Sequence, residues 1–294
     1  MPMTDLLPIE ERLAPRRRPA GSPIGYHRWH DLLFIHWRLP PSLLRPVVPR
    51  GLDIDTWDGD AWLGVVAFDM SGVRPWWSPR VPGVSAFHET NLRTYVHVAG
   101  RVPGVYFISL EAASSLAVRV ARWRWNLPYY RARMTIRRTG RRIAYGSRRL
   151  WPSPVGAETN LEAELGDWLS DAQNGQVLSD ATCTPVASHA CCVPQTIETG
   201  RARSGTLEFF LAERYLLYTV SRAGALRCGQ VHHTPYPLRA ARLLHCEETL
   251  SQSAGIVCSN GPAAPCHAMF SPGVSVEIFP LRPVTPSSGA RLSF

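Results

Sequence analysis

Apolar and polar positions alternate with a period of two through much of this chain, and those stretches predict strands. Residues 32–39 put Leu33, Ile35 and Trp37 on one face and Phe34, His36 and Arg38 on the other. Residues 52–57 and 61–70 flank the turn pair Asp58 and Gly59, which signals a hairpin. Further hairpins are predicted for 87–96 with 105–111, for 129–138 with 142–150, and for 215–220 with 226–233. Residues 241–246 and 274–279 read as two more strands. Short helices are expected after Pro41 (N-cap Ser42), after Ser114 or Ser115, after the cap Thr206, and over 248–254 up to Gly255. The second of these carries Leu116, Val120 and Trp123 at helical spacing. The expected fold is mainly β (α+β), an antiparallel sheet closed or nearly closed as a barrel or cone, with a few short helices.

Within this pattern the strand at 87–96 stands out. Glu89, Asn91, Arg93 and Tyr95 fall on one face, with His88, Thr90, Leu92, Thr94 and Val96 on the other. An acid, an amide, a guanidinium and a phenol do not make an ordinary core. Such a face is either solvated, with one Glu–Arg pairing, or turned inward, where its groups pair with each other or with a ligand.

Composition narrows the function. All 32 basic residues are arginine, so a net charge of +9 coexists with a complete lack of lysine. No lysine Schiff base or P-loop lysine can form. The arginines are spread along strands, apart from Arg16, Arg17 and Arg18, and no nucleic-acid-binding signature is present, so no nucleic-acid partner is expected. No apolar run is long enough to span a membrane, and no secretory leader is expected from the first residues, which Pro2, Asp5, Pro8, Glu10 and Glu11 interrupt. Seven cysteines, all after residue 180 and without a CxxC, argue against a disulfide framework and for the cytoplasm. Cys183, His189, Cys191 and Cys192 lack zinc-site spacing, so no metal and no cofactor are expected.

The organisation expected is a flexible Pro/Arg-rich arm at 1–27, a single domain over 28–282, and a tail at 283–294. Residues 150–200 contain no arginine and many acids, which marks 156–203 as a poorly ordered insertion or a shifted reading frame.

Several ordered segments resemble the YqjF-like family of bacterial proteins of unknown function. They are 36–40 (HWRLP), 58–62 (DGDAW), 89–96 (ETNLRTYV), 103–111 (PGVYFISLE), 211–215 (LAERY), 233–238 (HTPYPL) and 271–274 (SPGV). That family is similar in fold to acetoacetate decarboxylase, a β-barrel-like cone around a buried cavity. The resemblance implies that the Glu89/Asn91/Arg93 face points inward. It does not carry over the Schiff-base activity, which needs a lysine.

Three functions fit this reading. One is a lysine-free lyase- or hydrolase-type enzyme acting on a small carboxylate or carbonyl compound. Arg93 and Glu89 are its candidate catalytic groups; Asn91, Tyr95, His36, Tyr215 and His233 are its candidate substrate-binding groups. The second is a non-catalytic small-molecule-binding protein in which Glu89 and Arg93 neutralise each other. The third is an interaction domain with a filled interior. The sequence leaves the oligomeric state open, a homo-oligomer included.

Overall fold

The computed structural model describes residues 7–82, 84–169, 200–257 and 264–284. In chain order the elements are α1 (Ile9–Leu13), β1 (Gly25–Leu39), α2 (Pro41–Leu44), β2 (Asp53–Ile54), β3 (Thr56–Trp57), β4 (Asp60–Pro75), β5 (Phe87–Val98) and β6 (Arg101–Ala112). There follow α3 (Ser115–Arg124), β7 (Tyr129–Thr139), β8 (Arg142–Trp151), β9 (Glu158–Trp168), α4 (Leu207–Ala212), β10 (Leu216–Val220) and β11 (Leu226–His232). The last are β12 (Arg239–Glu248), α5 (Leu250–Ser253), β13 (His267–Ile278) and β14 (Arg282–Pro283).

All strands belong to one 14-stranded sheet. Pairing runs β6–β7–β8–β9–β12–β13–β1–β4–β5 and returns to β6. A second circuit leaves β6 through β10 and β11 and rejoins at β13. The β6–β7 and β6–β10 pairings are parallel and the rest antiparallel. The β1, β4 and β5 strands are shared by both circuits, so their middles are covered on both faces, and β4 reads as a long apolar run. Leu33, Ile35, Leu63, Val65 and Leu92 pack against Ile143, Leu161 and Leu165 of β8 and β9. Their neighbours Phe34, Trp62, Val66, Phe68 and Tyr95 pack on the opposite side against Leu207, Phe210 and Leu211 of α4.

Several expectations change at the boundaries. Ser42 lies inside α2, whose N-cap position is Pro40, and no side chain caps it. Ser114 caps α3 by accepting from the Ala117 amide, and Thr206 does the same for Phe209. On α3 it is Val118 and Ala121 that are buried; Leu116, Val120 and Trp123 are turned outward. The Trp76 and Trp77 side chains are exposed. The strand expected at 274–279 starts earlier, so 270–273 are part of β13, where Gly273 has φ +135 and a Cβ there would clash with the Trp29 carbonyl oxygen.

Two larger expectations are revised. Residues 158–168, expected within an insertion, form β9 between two arginine-bearing strands. The local change in charge has an electrostatic reason: Glu158 pairs with Arg148 of β8 at 3.2 Å, and Glu164 with Arg242 of β12 at 2.5 Å. Residues 170–199, with Cys183, His189, Cys191 and Cys192, lie outside the described residues, as does 285–294 of the tail. The stretch expected as a flexible arm is tied to the sheet from α1 onward. Arg12, 7% exposed, forms a forked pair with Asp55 at 2.9 Å through both carboxylate oxygens.

Candidate functional site

The polar face of β5 is buried: Glu89, Asn91, Arg93 and Tyr95 are each 8% exposed or less. It lies against α4 and the segment around Tyr236, on the core that contains Phe34 and Trp62. Strand geometry then sets the spacing of its groups. At about 3.4 Å per residue, Glu89 and Arg93 have Cα atoms about 14 Å apart along the strand, with Asn91 midway. They do not pair with each other, and two polar clusters form instead.

At one end, the Tyr129 hydroxyl donates to Glu89 Oε2 at 2.8 Å. Burial pushes the Glu89 carboxyl up to about 8; Tyr129 and Asn91 hydrogen bonds pull the other way, and the nearby Glu111 carboxyl adds to the rise. Glu89 therefore holds its proton at neutral pH. Asn91 keeps one unsatisfied atom, Oδ1.

At the other end, Arg93 Nη2 donates to the Leu211 carbonyl at 3.1 Å and lies 3.4 Å from the Tyr95 hydroxyl. Its guanidinium sits 5.4 Å from the Phe34 ring. The Arg93 Nε–H has no partner, and no carboxylate among the described residues forms an ion pair with Arg93. The Tyr95 hydroxyl donates to the Leu211 carbonyl at 3.0 Å, so it accepts from His36 Nε2 at 2.9 Å. This leaves His36 Nδ1 as the acceptor for His267 Nδ1 at 3.2 Å, and His267 Nε2 stands 3.6 Å from Glu208 Oε1. Burial, with His267 and Arg93 nearby, holds the His36 pKa well below its usual value, so the ring is neutral. Gly64 of β4 makes this convergence possible. A Cβ there would lie 3.1 Å from His36 Cδ2, 3.3 Å from the Tyr95 hydroxyl and 3.5 Å from Arg93 Cγ.

His233 and Tyr215 lie further along the same side. Their rings stack with centroids 4.5 Å apart, and His233 is 4.6 Å from Tyr236, whose ring meets Phe34 at 5.5 Å. The Tyr215 hydroxyl donates to Glu213, so it is already engaged. His233 is held neutral, its pKa lowered by burial to about 4, and its buried Nε2 has no partner. The structure thus brings Arg93, Tyr95 and His36 into direct contact, joins Glu89 to Asn91, and connects His233 through Tyr236 and Phe34.

Sequence reasoning missed Tyr129, His267 and Glu208. Tyr129 reaches Glu89 only because β7 runs parallel beside β6, pairing Leu110 with Tyr129, a non-local arrangement no local pattern announces. His267 is opposite His36 in the β1–β13 register. A second buried acid was also missed: Glu111, across the sheet, accepts from Arg149 Nε at 3.0 Å and from Ser109 at 3.2 Å. Burial raises its carboxyl to about 7 even against Arg149. A cleft of about 550 Å3 lies away from Glu89, beside α3 and β10. Among the described residues, no group of three or more His, Cys, Asp or Glu side chains is placed to hold a metal ion.

A profile of the DUF2071 family, described as an uncharacterized conserved protein, matches residues 26–275. The chain belongs to the DUF2071 family. The uncharacterized protein YqjF of Bacillus subtilis (strain 168) is 34% identical over 238 residues, covering 81% of this chain and 84% of that protein. Solved structures of similar fold include an acetoacetate decarboxylase-like enzyme from Sphingomonas wittichii RW1, with TM-score 0.55 and 13% identity over 90% of this chain and 94% of that one. The enduracididine biosynthesis enzyme MppR complexed with pyruvate gives TM-score 0.54 and 11% identity over 92% and 95%. The likeness to these solved structures shows a mostly β fold of acetoacetate decarboxylase-like kind for this DUF2071 chain; at such identities it carries the fold alone.

Proposed function

We propose that this DUF2071 protein is a lysine-free enzyme, of lyase or hydrolase type, acting on a small carboxylate or carbonyl compound. The observation that carries this reading is Arg93: a buried guanidinium with a free Nε–H and no carboxylate partner among the described residues. A buried charge left unpaired is costly, and a ligand carboxylate meets that demand by a forked, charge-assisted contact. Asn91 Oδ1, unsatisfied one same-face step away, supports an orienting role for that side chain. Beyond it, Glu89 has the chemistry of a general acid–base group, since a carboxyl near 8 exchanges its proton close to neutrality. A small ligand anchored on Arg93 would lie along Asn91 and extend toward Glu89 on the same strand face. Tyr95 and His36 hold Arg93 in place, and His233 and Tyr215 wall the far end. We read the two strand circuits as the sides of a cone, with this polar stripe lining an enclosed polar cavity. No disulfide joins Cys228, Cys246 and Cys266 among the described residues, in keeping with a reducing, cytoplasmic setting.

A screen of small keto and hydroxy acids by calorimetry tests the reading. Binding by the wild type, weakened at least about tenfold in Arg93→Met, is expected for the loss of a charge-assisted contact. Equal binding by both proteins would remove Arg93 from the site. Binding without any turnover would leave a binding protein with the same residues.

A further inference from the structure

We propose that the cleft beside α3, β7 and β10 is a second ligand site, built for a small aromatic anion. Its volume of about 550 Å3 suits a small organic molecule. The walls are tied together: the Asn126 amide donates to the Val220 carbonyl at 2.6 Å, and the Thr219 hydroxyl to the Asn126 carbonyl at 3.2 Å. Three guanidiniums, of Arg119, Arg122 and Arg222, line the space, and no carboxylate is among the residues around it. Elsewhere on this molecule arginines find acids, as Arg148, Arg242 and Arg12 do. Three together without one make a local positive field suited to an anion.

The aromatic half of the argument comes from Trp123 and Trp151, which are 71% and 50% exposed in the same cleft. Trp123 is on the stripe of α3 that helical periodicity assigns to a core and that the structure turns outward. Arg122 is held in place rather than free. Its Nη1 donates to the Tyr129 carbonyl at 2.8 Å, and its guanidinium lies 5.8 Å from the Tyr130 ring and 5.9 Å from the Trp151 ring. Indoles beside unpaired guanidiniums recognise a flat ring bearing an acid group, by stacking and by forked hydrogen bonds. Carboxylate and phosphate share that chemistry. The site is separate from the Glu89 stripe, although Phe107, opposite Arg93 in the strand register, contributes to its lining.

Calorimetry with 2-naphthoate, naphthyl phosphate and the neutral 2-naphthamide tests this on the full chain. One molecule of at least one anion should bind, at least about tenfold more tightly than the amide, as charge-assisted recognition requires. The double variant Arg119→Gln/Arg222→Gln should lose at least about tenfold, and Trp123→Ala, at an exposed position where folding is not at stake, should also weaken binding. Binding by Arg93→Met should be unchanged, which separates this site from the first. Failure of both anions at millimolar concentration, an amide that binds as tightly, or loss on Arg93→Met alone would overturn the proposal.

Discussion

Glu89 and Arg93 share one buried face of β5 and do not pair: the carboxyl accepts from Tyr129, while the guanidinium donates to Leu211. Opposite charges at i and i+4 on a strand are too far apart to neutralise one another without bending toward each other. Each has found a neutral partner instead, and that leaves an acid that keeps its proton and a cation with spare donors.

The first consequence concerns pH and stability. The folded-state pKa of Glu89, about 8, is above its unfolded value, so the folded protein binds the extra proton between about pH 4.5 and 8. The stability this contributes is fully present below pH 4.5 and is lost as pH rises through 8. Denaturant melts across that range should show Glu89→Gln losing less stability than the wild type, by a few kcal/mol at the alkaline end. Parallel curves would mean that Glu89 is ionised in the folded protein.

Tyr129→Phe probes the same group from its partner. The hydroxyl favours the carboxylate form, so its loss should raise the Glu89 pKa further. The protonated-carboxyl stretch assigned through Glu89→Gln should then persist to higher pH in difference infrared spectra. A shift to lower pH would contradict the geometry described.

Much of this was legible along the chain. The β5 face, its hairpin with β6, and the two faces of residues 32–39 follow from period two alone, and burial on both sides explains the long apolar run of β4. What local pattern could not carry was partnership across the sheet. Tyr129 meets Glu89 through a parallel pairing, His267 meets His36 through a strand 231 residues later, and acidic β9 fits between basic neighbours that surround it only in space. The outward turn of Trp123 shows the limit of periodicity, which gives a stripe but not the side it faces.

Asp55 holds two arginines far apart in sequence, Arg12 at 2.9 Å and Arg214 at 2.7 Å, all three buried. The two arginines hold the Asp55 carboxyl below its ordinary value despite its burial. Asp55→Ala leaves both cations without a counter-charge and should cost about 3–5 kcal/mol by chemical denaturation. A loss below about 1 kcal/mol, the size of an exposed pair, would show that the triad is not buried in solution.

Gly64→Ala should disturb Arg93, Tyr95 and His36 together, because the new methyl meets all three within 3.5 Å. A stability cost of about 1–3 kcal/mol is expected, with weakened ligand binding in the folded fraction. An alanine variant matching the wild type in both would mean that these side chains are not packed over Gly64.

The most direct measurement is solvent deuterium exchange into the carbon next to the carbonyl of a small keto acid such as pyruvate, followed by proton NMR. Under the proposed function, the ionised fraction of Glu89, which grows as pH rises toward 8, would take the carbon-bound proton, exchange it with solvent and return a deuteron, while Arg93 would hold the substrate carboxylate. Wild-type exchange should exceed that of Glu89→Gln by about 10²–10⁴-fold at saturating substrate, as for loss of a general acid–base group, with Arg93→Met raising the concentration needed. Exchange catalysed equally by wild type and Glu89→Gln would contradict the account.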